Sequence, residues 1–264
     1  MTLFVLGPEG TFSHELACLV SLSGEVRLLP SIGLVCRAVE EGKGEGIIPI
    51  ENSEAGAVGP AMDALLRYRV FINAEFYREV HHCLAAFVPP DQASVIYAHP
   101  QSAEQCSEFL DTLGITVRYT ESNAASALEL AKDKSGAAIV SEHIASLYCL
   151  PIIRKNIENN QSNVTRFVKI SSEPVKEEKP EKCSIVADPE VDRPGLLYEL
   201  LSVFARRNIN LCRIESRPSR RGIGSYVFFM DITTNPGWQD ALSEISGITK
   251  VKQLGCYRRP EVPG

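Results

Sequence analysis

Over its first two-thirds, the sequence alternates short apolar runs with segments in which apolar residues recur at helical spacing. The runs have the length of buried strands, and they lie at residues 2–6, 46–50, 95–98, 115–119 and 137–140. Between two of them, residues 32–39 carry one apolar face, which indicates a helix with Ser31 as its N-cap. Strands that alternate with helices form parallel βαβ units, so we expect an α/β fold with one or two largely parallel sheets.

Residues 171–182 interrupt this pattern and mark off a second unit. Seven of these twelve residues are charged and two are proline, a composition that cannot bury a face and is typical of a linker. The following chain is predicted to form strands at 183–187, 209–216, 225–233 and 249–257, with one helix opened by residues 192–195 and another at 238–245. This βαββαβ order is the ferredoxin-like plan, and a chain of 264 residues has room for two domains.

Composition and charge exclude several classes of protein. The net charge of −6 argues against a general binder of nucleic acid or anionic membranes. The eight cysteines are scattered without a Cys-x-x-Cys pair, so we expect free thiols in a reducing compartment, not a disulfide framework or a zinc site. The His81-His82-Cys83 cluster is disfavoured as a metal site, because neighbouring strand residues point to opposite faces. Since neither a secretion signal nor a membrane span is recognisable, we expect a cytoplasmic protein.

Three polar loops follow three of the predicted strands and form the candidate binding site. They are Gly-Pro-Glu-Gly-Thr-Phe-Ser at 7–13, Glu-Asn-Ser-Glu-Ala-Gly at 51–56 and His-Pro-Gln at 99–101. In open α/β sheets, ligands bind outside the carboxyl ends of the strands. Each loop also precedes a predicted helix, whose first N–H groups can bind an anion. The sequence therefore favours a small, polar and carboxylated ligand.

Each loop also has a purely structural interpretation. Thr11 or Ser13 can simply cap a helix, and Asn52 can cap the next one along the chain. Glu51 can be a solvated surface acid, and His99 an ordinary loop histidine. At the level of sequence these alternatives stay open.

Together, four motifs resemble the signature of the prephenate dehydratase family. They are the loop at 7–13, Pro-Ile-Glu-Asn-Ser at 49–53, His-Pro-Gln at 99–101 and Asn-x-Thr-Arg-Phe at 163–167. The resemblance implies a catalytic domain over residues 1–170 with two α/β lobes, as in type II periplasmic binding proteins, and a site in the cleft. One lobe is expected near 1–75 with 155–170, and the other near 76–154. Because the first motif begins at Gly7, we expect no fused chorismate mutase domain before it.

The C-terminal unit, residues 183–260, resembles an ACT regulatory domain. Its two regulatory motifs correspond to Gly-Leu-Leu-Tyr at 195–198, which departs from the family pattern at its second and fourth residues, and to Glu-Ser-Arg-Pro at 215–218. The resemblance implies that phenylalanine binds between ACT domains of a homodimer or homotetramer and regulates the enzyme allosterically. The regulatory residues would be Gly195, Leu196, Leu197, Glu215, Ser216, Arg217 and Pro218. The alternative is a domain that only dimerises.

The resemblance implies the decarboxylating dehydration of prephenate to phenylpyruvate, water and carbon dioxide, in L-phenylalanine biosynthesis. Aromatisation drives this reaction, so the enzyme mainly has to help hydroxide leave, which a hydrogen-bond donor can do. In the family, this role belongs to the threonine of the Thr-Arg-Phe motif, here Thr165. An alcohol is expected to polarise or relay rather than to act as a full acid. No metal or organic cofactor is required.

The other motif residues are expected to hold the substrate or to shape the site. Arg166 is either a bidentate carboxylate anchor or a structural partner of Glu51 or another acid, and Glu51 is an acid only if burial raises its pKa. The expected catalytic residues are Thr165, Glu51, Asn52 and Ser53, and the expected substrate-binding residues are Thr11, Ser13, His99, Gln101, Asn163, Arg166 and Phe167. Two rival functions remain: an arogenate dehydratase with the same chemistry, and a non-catalytic amino-acid sensor that reuses the cleft.

Overall fold

The computed structural model describes residues 2–21, 24–191, 193–222, 224–258 and 260, whose strands form three sheets. With strands numbered along the whole chain, the first sheet contains β1 (Leu3–Leu6), β2 (Val26–Leu29), β3 (Glu45–Asn52), β4 (Gly56–Ala57), β5 (Phe71–Glu79) and β11 (Val164–Ser171). Their spatial order is β2-β1-β3-β11-β5, with β4 paired to β3. Strands β1, β2 and β3 are parallel, whereas β11 runs antiparallel to both β3 and β5.

The second sheet is built from the chain between β5 and β11. Its strands are β6 (Cys83–Ala86), β7 (Ile96–Ala98), β8 (Val117–Tyr119), β9 (Ala137–Val140) and β10 (Ile152–Lys155), in the order β10-β6-β9-β7-β8. The chain therefore leaves the first lobe after β5 and returns to it with β11, so two crossings join the lobes. The expectation of largely parallel sheets is wrong for β11 and for β6, which enter their sheets from the other lobe and pair antiparallel.

Helices cover the two sheets and begin at caps that the sequence supplies. They are α1 (Phe12–Val20), α2 (Ile32–Glu40), α3 (Gly59–Arg67), α4 (Pro100–Gln105), α5 (Ser107–Leu113), α6 (Asn123–Lys132) and α7 (Glu142–Leu147), with a 3₁₀ turn at Pro90–Gln92. The predicted cap of α2 is confirmed, since the Ser31 hydroxyl accepts a hydrogen bond from the Leu34 N–H. The sequence pattern of residues 13–22 also predicts a helix, which is α1, and the last residue of that pattern, Leu22, lies outside the described residues. Among the helices described, none is long and apolar enough to cross a membrane.

The third sheet confirms the ferredoxin-like unit. Its strands are β12 (Lys182–Asp188), β13 (Leu211–Pro218), β14 (Tyr226–Thr233) and β15 (Lys250–Tyr257), all antiparallel to their neighbours in the order β13-β14-β12-β15. Helices α8 (Leu196–Ala205) and α9 (Trp238–Ile248) pack on one face. The other face packs on the first lobe, where Val186, Phe229 and Tyr257 share an apolar core with Met62 of α3. Asp192, part of the predicted helix opening, lies outside the described residues.

The expectation that every cysteine is a free thiol is wrong for one pair. Cys183 and Cys256 form a disulfide between β12 and β15, where they are direct partners in the antiparallel ladder with Cα atoms 4.1 Å apart. They are separated by 73 residues in the sequence. Only the strand register brings them together, so no local spacing signals the pair.

Candidate functional site

A cavity of about 490 Å³ lies in the cleft between the two lobes. Residues from all three predicted loops line it, together with residues of β11. The candidate residues that it brings together are Thr11, Ser13, Asn52, His99, Gln101, Thr165 and Phe167. The loops of 7–13 and 51–56 follow strands of the first sheet and the loop of 99–101 follows β7 of the second, so both lobes build the site.

Four candidate residues do not line the cavity: Glu51, Ser53, Asn163 and Arg166. Asn163 is only 1% exposed and lies behind Asn52. The Ser53 hydroxyl lies 3.4 Å from the Asn163 Oδ1 and accepts a hydrogen bond from the Val164 N–H at 2.9 Å. These two residues therefore support the cavity wall from behind instead of facing a ligand.

A β-bulge sends Glu51 to the opposite face of the first sheet. The register pairs Thr165 with Asn52 and Arg166 with Glu51, and then shifts so that Phe167 pairs with Pro49. An extra residue in β3 thus separates Pro49 from Glu51, and bulges of this kind redirect side chains. Asn52 faces the cavity as a result, and Glu51 faces the third sheet.

Asn52 is held in one orientation by the backbone around it. Its Oδ1 accepts hydrogen bonds from the N–H groups of Glu54 and Ala55, at 3.1 and 2.9 Å. Its Nδ2 is therefore the donating end, 2.7 Å from the Asn163 Oδ1 and 3.0 Å from the Thr165 Oγ1. Because the Thr165 oxygen accepts this bond, and no acceptor among the described residues takes its proton, the hydroxyl can donate into the cavity.

The same network crosses the cleft. Asn163 Nδ2 donates to the Glu54 Oε2 at 3.0 Å, and Gln105 Nε2, from the second lobe, donates to the same oxygen at 3.0 Å. The Gln105 Oε1 lies 3.0 Å from the His82 Nε2. Since this oxygen can only accept, His82 carries its proton on Nε2, and burial lowers the pKa of His82, which favours the neutral ring.

Sequence reasoning missed Gln105, His82 and Glu54. Gln105 and His82 line the cavity, and Glu54 joins them to Asn163. Their signal was weak but present: Glu54 lies inside the loop at 51–56, and Gln105 lies one helical turn after the His-Pro-Gln motif. The contact between Gln105 and Glu54 joins the two lobes, so it depends on how the lobes pack, which the sequence does not show.

Two candidate side chains are occupied by helix capping. The Thr11 Oγ1 accepts a hydrogen bond from the His14 N–H at 3.3 Å and donates to the Leu6 carbonyl oxygen at 3.1 Å. His99 caps α4, where its Nδ1 accepts from the Gln101 N–H at 3.3 Å. The capping interpretation of Thr11 agrees with the structure, and the Thr11 hydroxyl has no second proton for a ligand. The capping role of His99 was not predicted from the sequence.

Among the helix N-termini that border the cavity, those of α1 and α6 face it from opposite lobes. Helix α1 begins at residues 11–13 in the first lobe, and α6 begins at residues 122–124 in the second, and all six of these residues line the cavity. The lining residues that the structure describes include no lysine or arginine. Because the first N–H groups of a helix carry partial positive charge, the two helices can hold anionic groups at two points without a side-chain cation.

Arg166 points away from the cavity and is 4% exposed. Successive side chains of a strand face opposite sides, so a cavity-facing Thr165 puts Arg166 behind the sheet. Its guanidinium donates to Glu75 at 2.8 Å and to Asp231 at 2.5 Å. Burial alone would lower the pKa of Arg166, but Asp231 and other partners raise it overall. The expectation of a substrate anchor is therefore corrected: the alternative, a structural pair with an acid, describes this geometry.

The His81-His82-Cys83 cluster is divided among different surroundings. His81 Nδ1 lies 2.7 Å from the Glu158 Oε1, His82 lies beside the cavity, and Cys83 is buried in the second lobe. Across the part of the chain that the structure describes, no group of three or more His, Cys, Asp or Glu side chains is arranged to hold a metal ion.

The two motifs that are expected to be regulatory lie at the same end of the third sheet. Gly195, with a φ of 85°, precedes the first turn of α8, which contains Leu196 and Leu197. The second motif forms the end of β13 and consists of Glu215, Ser216, Arg217 and Pro218. Strands β12 and β13 both run antiparallel to β14, so the loops that leave their carboxyl ends emerge together. Arg217 turns towards the first lobe, with its Nη2 3.4 Å from the Asp63 Oδ1.

Comparison with known proteins identifies two matching family models: "Prephenate dehydratase" over residues 3–175 and "ACT domain" over residues 190–248. The prephenate dehydratase of Methanocaldococcus jannaschii is 36% identical over 90% of this chain and 89% of its own. The bifunctional chorismate mutase/prephenate dehydratase of Pseudomonas aeruginosa is 36% identical over 96% of this chain and 72% of its own. The crystal structure of prephenate dehydratase from Arthrobacter aurescens in complex with L-Phe has a TM-score of 0.89 at 29% identity, covering 100% of this chain and 93% of that chain.

Proposed function

This chain belongs to the prephenate dehydratase family, and we propose how its cleft performs the reaction of that family. The enzyme is a lyase that converts prephenate to phenylpyruvate, water and carbon dioxide in phenylalanine biosynthesis, and its ACT domain responds to phenylalanine. The single observation that carries the mechanism is the Thr165 hydroxyl, which faces the cavity with its oxygen occupied by Asn52 and its proton available.

We propose that the two carboxylates of prephenate bind at the two helix N-termini. Prephenate carries one carboxylate on its ring and one on its pyruvyl chain, and the N-termini of α1 and α6 face the cavity from opposite lobes. Helix N-termini bind carboxylates through backbone N–H groups and the helix dipole. Binding both ends of the substrate in this way would also hold the two lobes together around it.

In the reaction, the bond between the ring and its carboxylate breaks and carbon dioxide leaves. The electron pair of that bond enters the ring, which becomes aromatic, and the bond between the ring and its hydroxyl oxygen breaks at the other end. That oxygen takes up a proton and leaves as water. We propose that Thr165 donates a hydrogen bond to the departing oxygen, where negative charge develops, and relays a proton from solvent.

Asn52 has the second role, because it fixes the direction of the Thr165 proton. Its amide donates to the Thr165 oxygen, so that oxygen cannot turn its proton towards Asn52. Asn163, Ser53 and Glu54 hold Asn52 in place from behind. In this proposal, Ser13, Gln101 and Phe167 contact the substrate, while the Thr11 and His99 side chains contribute as helix caps.

The proposed domain bounds follow the same division: a catalytic domain at 1–170, a linker at 171–182 and an ACT domain at 183–260. Phenylalanine is proposed to bind at the two regulatory motifs, and a cavity of about 510 Å³ borders Leu196 at the first of them. Tyr198 and Ile214 are apolar and 78% and 44% exposed, which supports a homodimer or homotetramer that buries them between ACT domains. Because the reactants are metabolites of amino-acid synthesis, we propose a cytoplasmic location.

The test is to incubate the full-length protein with prephenate, with and without phenylalanine, and to follow phenylpyruvate. We expect turnover in the native protein and in Thr165→Ser, which keeps the hydroxyl, and a large loss in Thr165→Ala. Parallel rates on arogenate decide between the two dehydratase substrates. Binding of prephenate without any product would support the sensor instead, and near-normal turnover of Thr165→Ala would remove the donor role.

A further inference from the structure

Thr165 is bonded in the chain to Arg166, whose guanidinium contacts the carboxylates of Glu75, Asp231 and Glu51. Arg166 follows it on β11, and consecutive Cα atoms in a chain lie about 3.8 Å apart. Thr165 faces the cavity, whereas Arg166 faces the third sheet and is buried. The position of one side chain along β11 therefore cannot change without moving the other.

The Arg166 guanidinium connects the first lobe to the third sheet. In the first lobe, its Nε donates to the Glu75 Oε2 at 2.8 Å. In the third sheet, its Nη1 donates to the Asp231 Oδ2 at 2.5 Å and its Nη2 to the Tyr257 hydroxyl at 2.9 Å. Strand β11 is thus fixed from both sides by one side chain.

On the third-sheet side, the side chains of Arg166, Tyr257, Ser184 and Asp231 form a closed ring of hydrogen bonds. The donor and the acceptor of each bond in this ring can be assigned in only one way. Ser184 Oγ lies 2.5 Å from the Asp231 Oδ1 and 2.6 Å from the Tyr257 oxygen. The carboxylate can only accept, so Ser184 donates to Asp231, Tyr257 donates to Ser184, and Arg166 donates to both Tyr257 and Asp231. All four side chains are buried, so displacing one of them leaves a polar group unsatisfied.

The charges around the ring are balanced. Three cations, Arg166, Lys182 and Arg213, face three carboxylates, Glu75, Asp231 and Glu51. Lys182 Nζ lies 2.7 Å from the Glu75 Oε1, and the Glu51 Oε2 lies 3.4 Å from the Arg166 Nη1 and 3.5 Å from the Arg213 Nε. Burial and the Asp231 carboxylate raise the pKa of Tyr257, which keeps its hydroxyl protonated. Because a buried charge without its partner is strongly destabilising, the third sheet either keeps this contact intact or breaks it altogether. Contacts of that kind favour discrete arrangements over gradual sliding.

We propose that Asp231 is a positioning residue for Thr165: acting through Arg166, it lets the regulatory sheet determine where the threonine hydroxyl lies in the cavity. The inference rests on the proposed donor role of Thr165. It gives phenylalanine a physical route to the chemistry, because a rearrangement of the ACT domain that shifts Asp231 also shifts the residue next to Thr165. Coupling of this type is a difference in free energy between two arrangements, to which both ligands contribute.

Another contact between the same two domains provides a matched control. Asp63, on α3, pairs with Arg220 at 2.6 Å and with Arg217 at 3.4 Å. It is an interdomain carboxylate like Asp231, but it lies on α3, and among the described residues its side chain forms hydrogen bonds and ion pairs with Arg217 and Arg220 and none with β11. Asp63→Asn is therefore the same chemical change at the same domain interface without the connection to Thr165. It is the control for kcat in the absence of phenylalanine, because its partner Arg217 belongs to the proposed phenylalanine site.

The experiment compares Asp231→Asn, Tyr257→Phe and Asp63→Asn in the full-length protein. For each, kcat and KM for prephenate are measured with and without phenylalanine, and circular dichroism confirms the fold. We expect Asp231→Asn to lower kcat by about tenfold or more, since a misplacement of about 1 Å can cost roughly 10²-fold, with KM changed less than about twofold. We expect the factor by which phenylalanine changes the rate to shrink towards one. Asp63→Asn should keep native kcat.

Tyr257→Phe keeps the aromatic ring and removes one bond of the network, so it decides the question if Asp231→Asn does not fold. Native kcat together with a native phenylalanine response in the folded variant would overturn the inference. An equal loss of kcat without phenylalanine in Asp63→Asn would also overturn the inference, since the effect would then come from a general loosening of the interface. Thr165→Ala distinguishes a failure of the proposed donor role from a failure of the proposed coupling. If Thr165→Ala stays active, the donor role of Thr165 is wrong. If Thr165→Ala is inactive while Asp231→Asn has native kcat and a native phenylalanine response, only the positioning role of Asp231 is wrong.

Discussion

The substitution Asn52→Asp should reverse the direction of the Thr165 proton while it leaves the shape of the site unchanged. In the native protein, the Asn52 Nδ2 donates to the Thr165 oxygen at 3.0 Å, so the threonine proton is left for the cavity. A carboxylate at position 52 can only accept. The Thr165 hydroxyl would then donate to it, and the departing oxygen of the substrate would lose its donor.

The size of the effect follows from the bond that is lost. Removing one donor from a developing negative charge typically lowers kcat by about 10²–10³-fold, or roughly 2.7–4 kcal/mol. The new carboxylate would also face the Asn163 Oδ1 at 2.7 Å and the Val164 carbonyl oxygen at 3.3 Å, where the amide now donates. Those acceptors, together with the burial of position 52, would raise the pKa of the new carboxyl group, against the N–H groups of Glu54 and Ala55, which bond its other oxygen and favour the ionised form.

The raised pKa gives the prediction a pH dependence with a definite sign. Above that pKa the group is ionised and accepts the Thr165 proton, so turnover is low. As the pH falls through it, the neutral carboxyl group regains one O–H donor, and kcat should recover in part. The measurement is the pH profile of kcat for prephenate, taken for the variant and the native enzyme over the same range.

Asn73→Asp is the matched control, because Asn73 also donates to a hydroxyl, that of Ser171, but does not line the cavity. It should keep native turnover at every pH of the series. A folded Asn52→Asp with turnover within about threefold of native at neutral pH would refute the reasoning, since a lost donor costs far more than that. A large loss that does not recover in acid would show that Asn52 acts in some other way than by orienting Thr165.

Three further outcomes are expected. Glu54→Ala, which removes the acceptor shared by Asn163 and Gln105, should lower kcat more than Glu54→Gln, as steady-state rates would show. Ile214→Asp, at an exposed position on the edge strand β13, should shift the protein to smaller species in sedimentation velocity. A thiol reagent should rapidly label the exposed free cysteines of the native protein, which are Cys18, Cys149 and Cys212. It should label the three buried free cysteines only after unfolding, because burial shields them and, for example, raises the pKa of Cys36 to about 12.

Local signals predicted the elements of the fold, and they failed where the partner of a strand mattered. The apolar face at 32–39 and its cap at Ser31 were sufficient for α2, since a helix closes its hydrogen bonds within itself. The direction of β11 and the Cys183–Cys256 disulfide depend on strands that are distant in sequence. Spacing rules describe residues that are close in sequence, so they do not predict the pairing of strands that are far apart in the chain.

The candidate site shows the same limit. The motif residues Thr165 and Asn52 were found because the resemblance marks them, and the structure brings them within 3.0 Å. Arg166 belongs to the same motif, and its proximity in sequence suggested the same ligand. Strand alternation already argued against that, because a residue next to one that faces the cavity must face the other side. Gln105 was missed because its partner, Glu54, comes from the other lobe.

The interleaving of the two lobes also has a consequence for synthesis on the ribosome. Chains emerge from the N-terminus, and early segments can fold before later ones appear. All strands of the second sheet precede residue 164, whereas β11, which lies between β3 and β5, comes after them. Until it emerges, β5 has no neighbour in the first sheet. Strand β11, which completes the first sheet, also contains Thr165. The first sheet of a nascent chain therefore cannot be completed before Thr165 has been synthesised.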